Sequence, residues 1–175
     1  SLASKSKVCI DIGAPVGLFA IAMARAAPGA RVLAFEPCPT VLPILRRNLA
    51  LNESRVELLP YAITDFDGTV TLYVPQGDTE ASTVQGFRRA DQELTVPARC
   101  LDNCLDELNI DRVDLVKIDT ETSEPAVLRG MKRVISRCSP DIVCEVLHGR
   151  TEKALHEIFD PLGYRYYLIK GDALE

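Results

Sequence analysis

The sequence predicts an α/β fold in which a mostly parallel sheet has helices on both faces and carries an inserted β-hairpin. Strand-like and helix-like apolar segments alternate along nearly the whole chain, which is typical of a parallel sheet covered on both sides. The alternation breaks once, where Asp67-Gly68 separates two apolar runs. A chain of 175 residues with 47% hydrophobic content can bury one core, so we expect residues 1–175 to form a single domain.

The helices are bounded by residues that favour helix ends. Pro28-Gly29 stops the first helix, which follows a glycine-bearing turn. In the second helix Thr40 is a plausible N-cap, and Pro43 lies in the first turn, where a missing N–H costs little. The predicted helices comprise residues 17–27, 40–51, 102–108, 124–137 and 151–159.

The strands are short apolar runs between these helices. Asp67-Gly68 has the composition of a hairpin turn, so the runs 56–63 and 69–74 on either side of it are expected to pair antiparallel. The predicted strands comprise residues 8–12, 31–35, 55–63, 69–74, 95–99, 113–118, 141–147 and 164–169. Residues 75–93 are polar without a sustained period, which indicates a lid or substrate loop, or an ordinary surface insertion.

Charge and composition exclude several classes of partner. The 20 Lys and Arg residues against 25 Asp and Glu residues give a net charge of -5, which disfavours binding to nucleic acid. No apolar run approaches the roughly 18 residues of a transmembrane helix, and Ser1 to Lys7 lack the apolar core of a signal peptide. We therefore expect a cytoplasmic protein without membrane contact. The six cysteines form no C-x-x-C pair, so we expect reduced thiols and no metal.

The segment from Asp11 to Gly17 joins the first strand to the first helix. Gly13 and Gly17 allow the backbone to approach a ligand closely, and the helix directs its N-terminal donors into the same crevice. These glycines are four positions apart, whereas the first and last glycines of a G-x-G-x-x-G fingerprint are five apart. The spacing favours the D-x-G-x-x-x-G turn of S-adenosylmethionine enzymes over a nicotinamide site.

Glu36 ends the second predicted strand, 19 positions after Gly17. In nucleotide-binding α/β folds an acidic residue at this point accepts hydrogen bonds from ribose hydroxyls. The alternative is a solvated carboxylate at a strand end. The order of Asp11, Gly13, Gly17 and Glu36 along the predicted elements favours ribose binding.

A second group of carboxylates follows the strand 113–118. Because strand ends face the crevice in open α/β sheets, Asp119 and Glu121 are expected near Gly13. Asp119 needs a partner such as Lys117, a substrate hydroxyl or a cation. For Glu124 two roles are open: its carboxylate faces the crevice, or it lies at the positive end of the next helix as part of a cap.

The next strand ends near Glu145 and His148. With Asp119 these residues form either an acid/base set or an oxygen-rich metal site, although a lone histidine beyond a strand is more often a surface residue. The ordinary pKa of histidine suits proton removal from a hydroxyl near neutral pH. We expect Asp119, Glu121 and His148 to surround an acceptor hydroxyl.

Six short segments together carry a family resemblance: Asp11–Ala14 with Gly17, Ala34–Pro37, Asn48–Asn52, Asp65–Gly68 before Thr69–Tyr73, Val96-Pro97 with Leu101-Asp102, and Lys117–Asp119 with Glu121 and Glu124. In these segments the chain resembles the FkbM family of S-adenosylmethionine-dependent methyltransferases, over nearly its whole length. The resemblance implies a Rossmann-like class I methyltransferase fold and, commonly in this family, O-methylation of hydroxyls on sugars or secondary metabolites.

The resemblance also implies which residues hold the cofactor, S-adenosylmethionine. The turn that follows Asp11, with Gly13, Ala14 and Gly17, is expected to hold its methionine part. Glu36 then binds the ribose. The stretch containing Tyr61 and Ala62 borders the adenine.

Two departures from the family pattern bear on activity. The family usually has Asn at the position of Pro15 and Gly at the position of Thr122. Pro15 removes a backbone donor and fixes φ, while a Cβ at Thr122 narrows the crevice and penalises positive φ. These features keep a catalytically weak or silent binding domain as an alternative, and a nicotinamide oxidoreductase remains as a second one.

The last predicted strand is about the sixth of the core sheet, whereas methyltransferase sheets usually continue to a seventh. We therefore expect that the final sheet strand is missing. Because an open sheet edge invites pairing with another chain, a homodimer is also expected.

Overall fold

The computed structural model describes residues 2–75, 81–86, 91–170 and 173–174. Its strands are β1 (Val8–Ile12), β2 (Arg31–Phe35), β3 (Val56–Leu59), β4 (Ala62–Thr64), β5 (Gly68–Val74), β6 (Gln92–Cys100), β7 (Leu115–Ile118), β8 (Asp141–Cys144), β9 (Ile169–Lys170) and β10 (Ala173–Leu174). Its α-helices are α1 (Leu18–Ala26), α2 (Leu42–Leu51), α3 (Leu101–Glu107), α4 (Glu124–Arg129), α5 (Lys132–Cys138) and α6 (Glu152–Phe159). Short 3₁₀ turns cover Ala3–Lys5 and Asp160–Leu162.

The main sheet has five strands, all parallel, in the order β3-β2-β1-β7-β8. Its register places Ile12 at the end of β1 beside Phe35 of β2 and Ile118 of β7. The chain therefore leaves all three central strands at the same edge. This mostly parallel sheet with flanking helices confirms the predicted fold class.

Alternate residues of the strands pack on opposite faces of the main sheet, as the two-residue period of a strand requires. Ile10 and Leu33 lie in a buried cluster with residues of α3, α4, α5 and α6. Cys9 and Val32 face the other side, where they pack with residues of α1. Residues of α1 and α2 also form a smaller cluster against β3 on this side. Both faces of the sheet are thus covered by helices.

The inserted antiparallel pair is present, but its strands are β5 and β6 rather than residues 56–63 and 69–74. Val70 lies opposite Val96, and β4 pairs parallel with the other side of β6. These three strands form a second sheet in the order β4-β6-β5.

The predicted strand 55–63 is divided at Pro60, which has no N–H to donate to a ladder. Tyr61 N instead donates to Leu59 O in a turn, at 3.0 Å. The chain leaves the main sheet there and joins the second one. Asp67 does not turn a hairpin with β3; its carboxylate accepts hydrogen bonds from Cys100 N at 2.6 Å and Asn103 Nδ2 at 2.8 Å. It thereby links the start of β5 to the start of α3.

Two further expectations need correction. The predicted helix 124–137 is two helices. The chain leaves helical geometry at Met131, with φ -126° and ψ 26°, and the preceding Gly130 packs so closely on β4 that a Cβ would lie 1.9 Å from Thr64 O. The predicted strand 164–169 does not join the main sheet: residues 164–168 have no regular structure, and among the described residues β9 pairs only with β10. The Tyr164 ring instead packs against Phe159, with centroids 5.2 Å apart.

Within the predicted loop 75–93, residues 81–86 are described, while 76–80 and 87–90 lie outside the described residues. Ser82 forms an isolated antiparallel bridge with Tyr73 of β5. In the described part of the chain, no helix combines the length and the apolar character needed to cross a membrane.

Candidate active site

A cleft opens at the carboxyl ends of β1, β2 and β7, where ligands bind in open α/β sheets. The second sheet and residues 81–86 form its other wall. Six residues predicted as site residues line it: Gly13, Glu36, Tyr61, Ala62, Asp119 and Glu121. The fold therefore brings together residues that are more than 100 positions apart in the sequence.

Gly13 lies where the end of β1 passes the end of β7. Its φ is 77°, and a Cβ would lie 1.8 Å from the carbonyl oxygen of Asp119. Asp119 N donates to Ile12 O at 3.0 Å, and Gly13 N donates to Phe35 O at 3.0 Å. Only glycine fits this crossing, because any side chain would separate the two strand ends.

Gly17 precedes α1 in a left-handed conformation, with φ 78°. A Cβ there would lie 2.6 Å from Leu45 Cδ1, so the glycine lets α2 pack closely. Asp11 Oδ2 accepts a hydrogen bond from Ala20 N at 3.0 Å, which fixes the first turn of α1 to β1. Asp11 and Ala14 are buried beneath the turn and do not line the cleft.

Lys117 is the buried cation that connects both strand ends. Its Nζ donates to Gly13 O at 2.7 Å and lies 3.2 Å from Asp11 Oδ1 and 3.5 Å from Asp119 Oδ2. Asp11 Oδ1 accepts no hydrogen bond from the described residues, so this contact is a charge pair without hydrogen-bond geometry. Burial raises the pKa of Asp11, while the positive charge of Lys117 acts in the opposite direction.

Glu36 follows β2 and is only 5% exposed although it lines the cleft. Its Oε1 accepts a hydrogen bond from Cys38 N at 2.8 Å, which holds the side chain over the strand end. Burial raises the pKa of Glu36 to about 7; the hydrogen bond from Cys38 lowers it, the charge of Asp11 adds to the rise, and Lys117 opposes it. This carboxyl group therefore titrates in the neutral range.

The loop between β7 and α4 is organised around Glu124, which is fully buried. Glu124 Oε1 accepts hydrogen bonds from Thr120 N at 3.0 Å, Thr120 Oγ1 at 3.1 Å and Thr122 N at 3.2 Å. Glu124 does not line the cleft. Glu124 lies in the first turn of α4, as predicted, but it binds the preceding loop and makes no helix-cap hydrogen bond.

Thr122 adopts the positive φ that favours glycine. Its φ is 86°, and the preceding Glu121 has φ 53°. For a β-branched residue this conformation is strained. Thr122 does not line the cleft. Threonine at the position where the family usually has glycine therefore strains the backbone and does not narrow the cleft.

Three carboxylates gather at the mouth of the cleft. Oxygens of Asp119, Glu121 and Glu145 all lie within 4.8 Å of one another. Oxygen sets of this kind suit hard divalent cations. The expectation that the chain needs no metal stays a prediction.

His148 is not brought to this group. Its side chain is 94% exposed, and Nδ1 lies 2.9 Å from Glu152 Oε2 at the start of α6. The structure thus brings Asp119 and Glu121 together as expected and places Glu145, rather than His148, beside them. The sequence did not indicate where β8 ends. The strand was predicted to reach residue 147 but stops at Cys144, so His148 does not lie at the strand end.

Residues 81–86 complete the wall opposite the turn. Ala81 and Thr83 line the cleft, and Ser82 Oγ between them donates to Glu121 O at 2.7 Å. Ser82 was not identified from the sequence, where a serine in a polar loop carries no distinguishing signal.

Comparisons with known proteins agree with this architecture. The methyltransferase FkbM domain model matches residues 11–166. Methyltransferase sdnD of Sordaria araneosa is 33% identical over 70% of this chain and 59% of its own length. Methyltransferase 1 of Beauveria bassiana is 30% identical over 70% of this chain and 57% of its own length. The chain thus spans less than two thirds of the curated relatives that it matches.

A solved structure shows the same fold. Precorrin-6y C5,15-methyltransferase of Geobacter metallireducens has a TM-score of 0.55 at 20% identity, covering 94% of this chain and 69% of that one. At this identity the likeness supports the Rossmann-like class I methyltransferase fold alone. The family match over residues 11–166 carries the assignment: the chain belongs to the FkbM family of methyltransferases.

Proposed function

We propose that this protein transfers a methyl group from S-adenosylmethionine to a hydroxyl group of a small molecule such as a sugar or a secondary metabolite. The main support for this proposal is the set of residues that line one cleft. Gly13 and Glu36 form one part of its lining, and Asp119 and Glu121 form another. A site for a nucleoside and a site for proton removal are thus side by side.

The lining near Glu36 fits a nucleoside. A carboxylate accepts hydrogen bonds from ribose hydroxyls, and Tyr61, Ala62 and Ile63 offer an apolar surface to a base. The N-terminal end of α1, after Gly17, favours a carboxylate such as that of methionine through the helix dipole; Ala20 N in this turn already donates to Asp11 Oδ2, and Gly17 itself does not line the cleft. These residues would hold S-adenosylmethionine.

The chemistry requires mainly alignment and proton removal. S-adenosylmethionine supplies a methyl group on a sulfonium when it is bound. Asp119 and Glu121 orient the acceptor hydroxyl, and one of these two carboxylates accepts its proton. Lys117 holds Asp119 near the turn at 3.5 Å.

The charge at the cleft mouth bears on the acceptor. Asp119, Glu121 and Glu145 place three carboxylates within 4.8 Å of one another. An anionic acceptor would be repelled there, whereas a neutral hydroxyl can donate to these oxygens. The proposed acceptor is therefore uncharged at the reacting end.

A catalytically weak or silent binding domain is the second candidate, and the turn motivates it. Gly13 N and Ala14 N both donate to Phe35 O, at 3.0 and 3.3 Å, and Pro15 has no N–H. Residues 13–15 therefore offer a ligand fewer backbone N–H donors than three residues usually provide. The family match supports a methyltransferase scaffold over the nicotinamide alternative.

The proposed cellular location is based on the cysteines and not on the cleft. All six cysteines are free thiols in the structure. Free thiols are typical of reducing compartments. We therefore propose a cytoplasmic location.

Transfer of labelled methyl from S-adenosylmethionine to a panel of neutral polyhydroxyl compounds tests the proposed activity. Asp119→Asn and Glu121→Gln remove one proton acceptor each, so turnover is expected to fall by about 10²–10⁴ in at least one of them. His148→Ala, outside the cleft, is the matched control and should keep wild-type turnover. Full activity in both acidic variants would contradict the assignment of these residues.

A further inference from the structure

The peptide bond between Glu121 and Thr122 is held at both of its polar ends. Its carbonyl oxygen accepts a hydrogen bond from Ser82 Oγ at 2.7 Å, and its N–H donates to Glu124 Oε1 at 3.2 Å. Both flanking residues have positive φ, which non-glycine residues adopt only where the surroundings impose it. The two hydrogen bonds therefore maintain a conformation that the residues themselves disfavour.

Ser82 makes its contact from a buried position that is paired with β5. It is 3% exposed, and its backbone pairs with Tyr73 of β5 through two hydrogen bonds of 2.8 and 3.1 Å. Its Oγ also accepts from Val84 N at 3.0 Å and lies 3.5 Å from Thr122 Oγ1. The hydroxyl thus connects the second sheet to the loop after β7.

This connection runs between the two walls of the cleft. Ala81 and Thr83 flank Ser82 and line one wall, while Glu121 lines the other. Without the Ser82 hydroxyl, the Glu121 carbonyl loses a buried donor, and its peptide can rotate towards a more common conformation. Rotation at Glu121 would redirect its carboxylate relative to the cleft.

We propose that Ser82 is a positioning residue, which sets the orientation of the Glu121 carboxylate and holds residues 81–86 against the bound cofactor. The inference rests on the proposed function, since the orientation of Glu121 matters to catalysis only if the cleft binds donor and acceptor. Ser82 itself acts through Glu121 and has no chemical role.

Three variants separate the hydroxyl from its surroundings. Ser82→Ala removes the hydrogen bond, and Ser82→Thr keeps a hydroxyl. Ser54→Ala is the matched control, because Ser54 Oγ is buried and makes no hydrogen bond in the described part of the chain. Ser82→Cys keeps the side-chain volume with a weak donor and replaces Ser82→Ala if that variant does not fold.

The first measurement is amide hydrogen exchange of the ligand-free protein. In Ser82→Ala, exchange in the segment 119–124 should be about fivefold faster or more, as expected for one buried hydrogen bond, while exchange in β1 is unchanged. Ser82→Thr should restore slow exchange, and Ser54→Ala should match the wild type. Unchanged exchange at 119–124 in Ser82→Ala would overturn the proposal.

The second measurement is calorimetric titration with S-adenosylhomocysteine. Ser82→Ala is expected to raise the dissociation constant about fivefold, and Ser82→Thr to restore it. Wild-type affinity in Ser82→Ala would overturn the part of the proposal that concerns the cofactor. Failure of the wild type to bind would instead contradict the proposed function, and the exchange measurement would still decide the role of Ser82 in the loop.

Discussion

The contact between Gly13 and Asp119 shows how single residues control the site. β1 and β7 are neighbours, so the turn after one strand meets the loop after the other, and the space between them is too small for a Cβ. Lys117 adds charge to this contact by donating to Gly13 O. The glycine of the family motif is therefore required by packing between the strand ends.

Gly13→Ala tests this packing. The new Cβ would lie 1.8 Å from Asp119 O at a φ of 77°, so the free energy of unfolding should fall by about 3 kcal/mol or more. Gly29→Ala is the control, since a Cβ there meets nothing within 4 Å, and its effect should stay within about 1 kcal/mol. Urea unfolding of both variants measures the difference; equal stability of the two would contradict the packing argument.

If Glu36 binds the ribose as proposed, cofactor binding is expected to depend on pH. The pKa of Glu36 in the folded protein is about 7, above its ordinary value of 4.5, so this group's contribution to stability is complete below pH 4.5 and is lost as pH rises through 7. Ribose hydroxyls donate better to the ionised form. The affinity for S-adenosylhomocysteine should therefore increase about tenfold from about pH 6 to about pH 8.

Glu36→Gln is the matched variant for this prediction. It has no ionisable group at this position, so its affinity should be lower than that of the wild type at pH 8 and nearly constant with pH. Asp11 and Lys117, the charges that act on Glu36, are unchanged in the variant. A wild-type affinity that does not vary between these pH values would contradict the role of the Glu36 carboxylate.

At the scale of elements, two aspartates of the family motif stabilise helix starts far away in the sequence. Asp102 in α3 accepts hydrogen bonds from Arg133 N at 2.9 Å and Val134 N at 3.0 Å, which lie in the first turn of α5. Asp67 similarly binds Cys100 N and Asn103 Nδ2 near the start of α3. These contacts join successive elements around the second sheet.

Asp102→Ala should destabilise the fold. Loss of the two backbone hydrogen bonds at α5 is expected to lower the free energy of unfolding by about 1–2 kcal/mol. Asp106→Ala removes only an exposed ion pair with Arg133, at 2.8 Å, and should cost about 0.5 kcal/mol or less. Thermal unfolding measures the stability of both variants. An equal loss of stability in both would contradict a stabilising role of the Asp102 hydrogen bonds to α5.

The strands of the main sheet could be predicted because each is a short apolar run bounded by turn residues, and their local signals agree with the fold. Pairing of β5 with β6 could not, since it depends on contacts across the loop 75–91, and a local turn signal at Asp67-Gly68 suggested another partner. The predicted helix divides next to Gly130, which packs against Thr64 O, 66 positions earlier in the chain. Tertiary contacts of this kind leave no local pattern.

The same limit applies to the site. Gly13, Glu36 and Asp119 could be predicted because each ends a strand of a parallel sheet, where position along the chain determines position in the cleft. His148 and Ser82 depend on the path of the chain beyond a strand. Their places, one exposed beside α6 and one buried against Glu121, became apparent only from the folded chain.

At the scale of the whole molecule, the cleft combines an acidic mouth with an internal cation. Asp119, Glu121 and Glu145 lie together, and Lys117 Nζ is 3.5 Å from Asp119. Of this group, Asp119 and Glu121 line the cleft, together with Ala81 and Thr83. In the proposed function, donor and acceptor meet in this cleft, as the alignment needed for methyl transfer requires.

Chelation tests whether this cleft works without a metal ion. Because alignment and proton removal suffice for the proposed step and Lys117 already provides a positive charge, treatment with EDTA should leave the rate of labelled methyl transfer unchanged. Loss of activity that Mg²⁺ restores would contradict this expectation and assign the three carboxylates to a cation.

Calorimetric titration with S-adenosylhomocysteine decides whether the cleft lined by Gly13, Glu36 and Asp119 binds the methyl donor, as we propose. We predict one site per chain, a dissociation constant raised about tenfold or more by Glu36→Ala, and an unchanged constant in His148→Ala. A folded wild-type protein that shows no binding at ligand concentrations up to about 1 mM would contradict the claim.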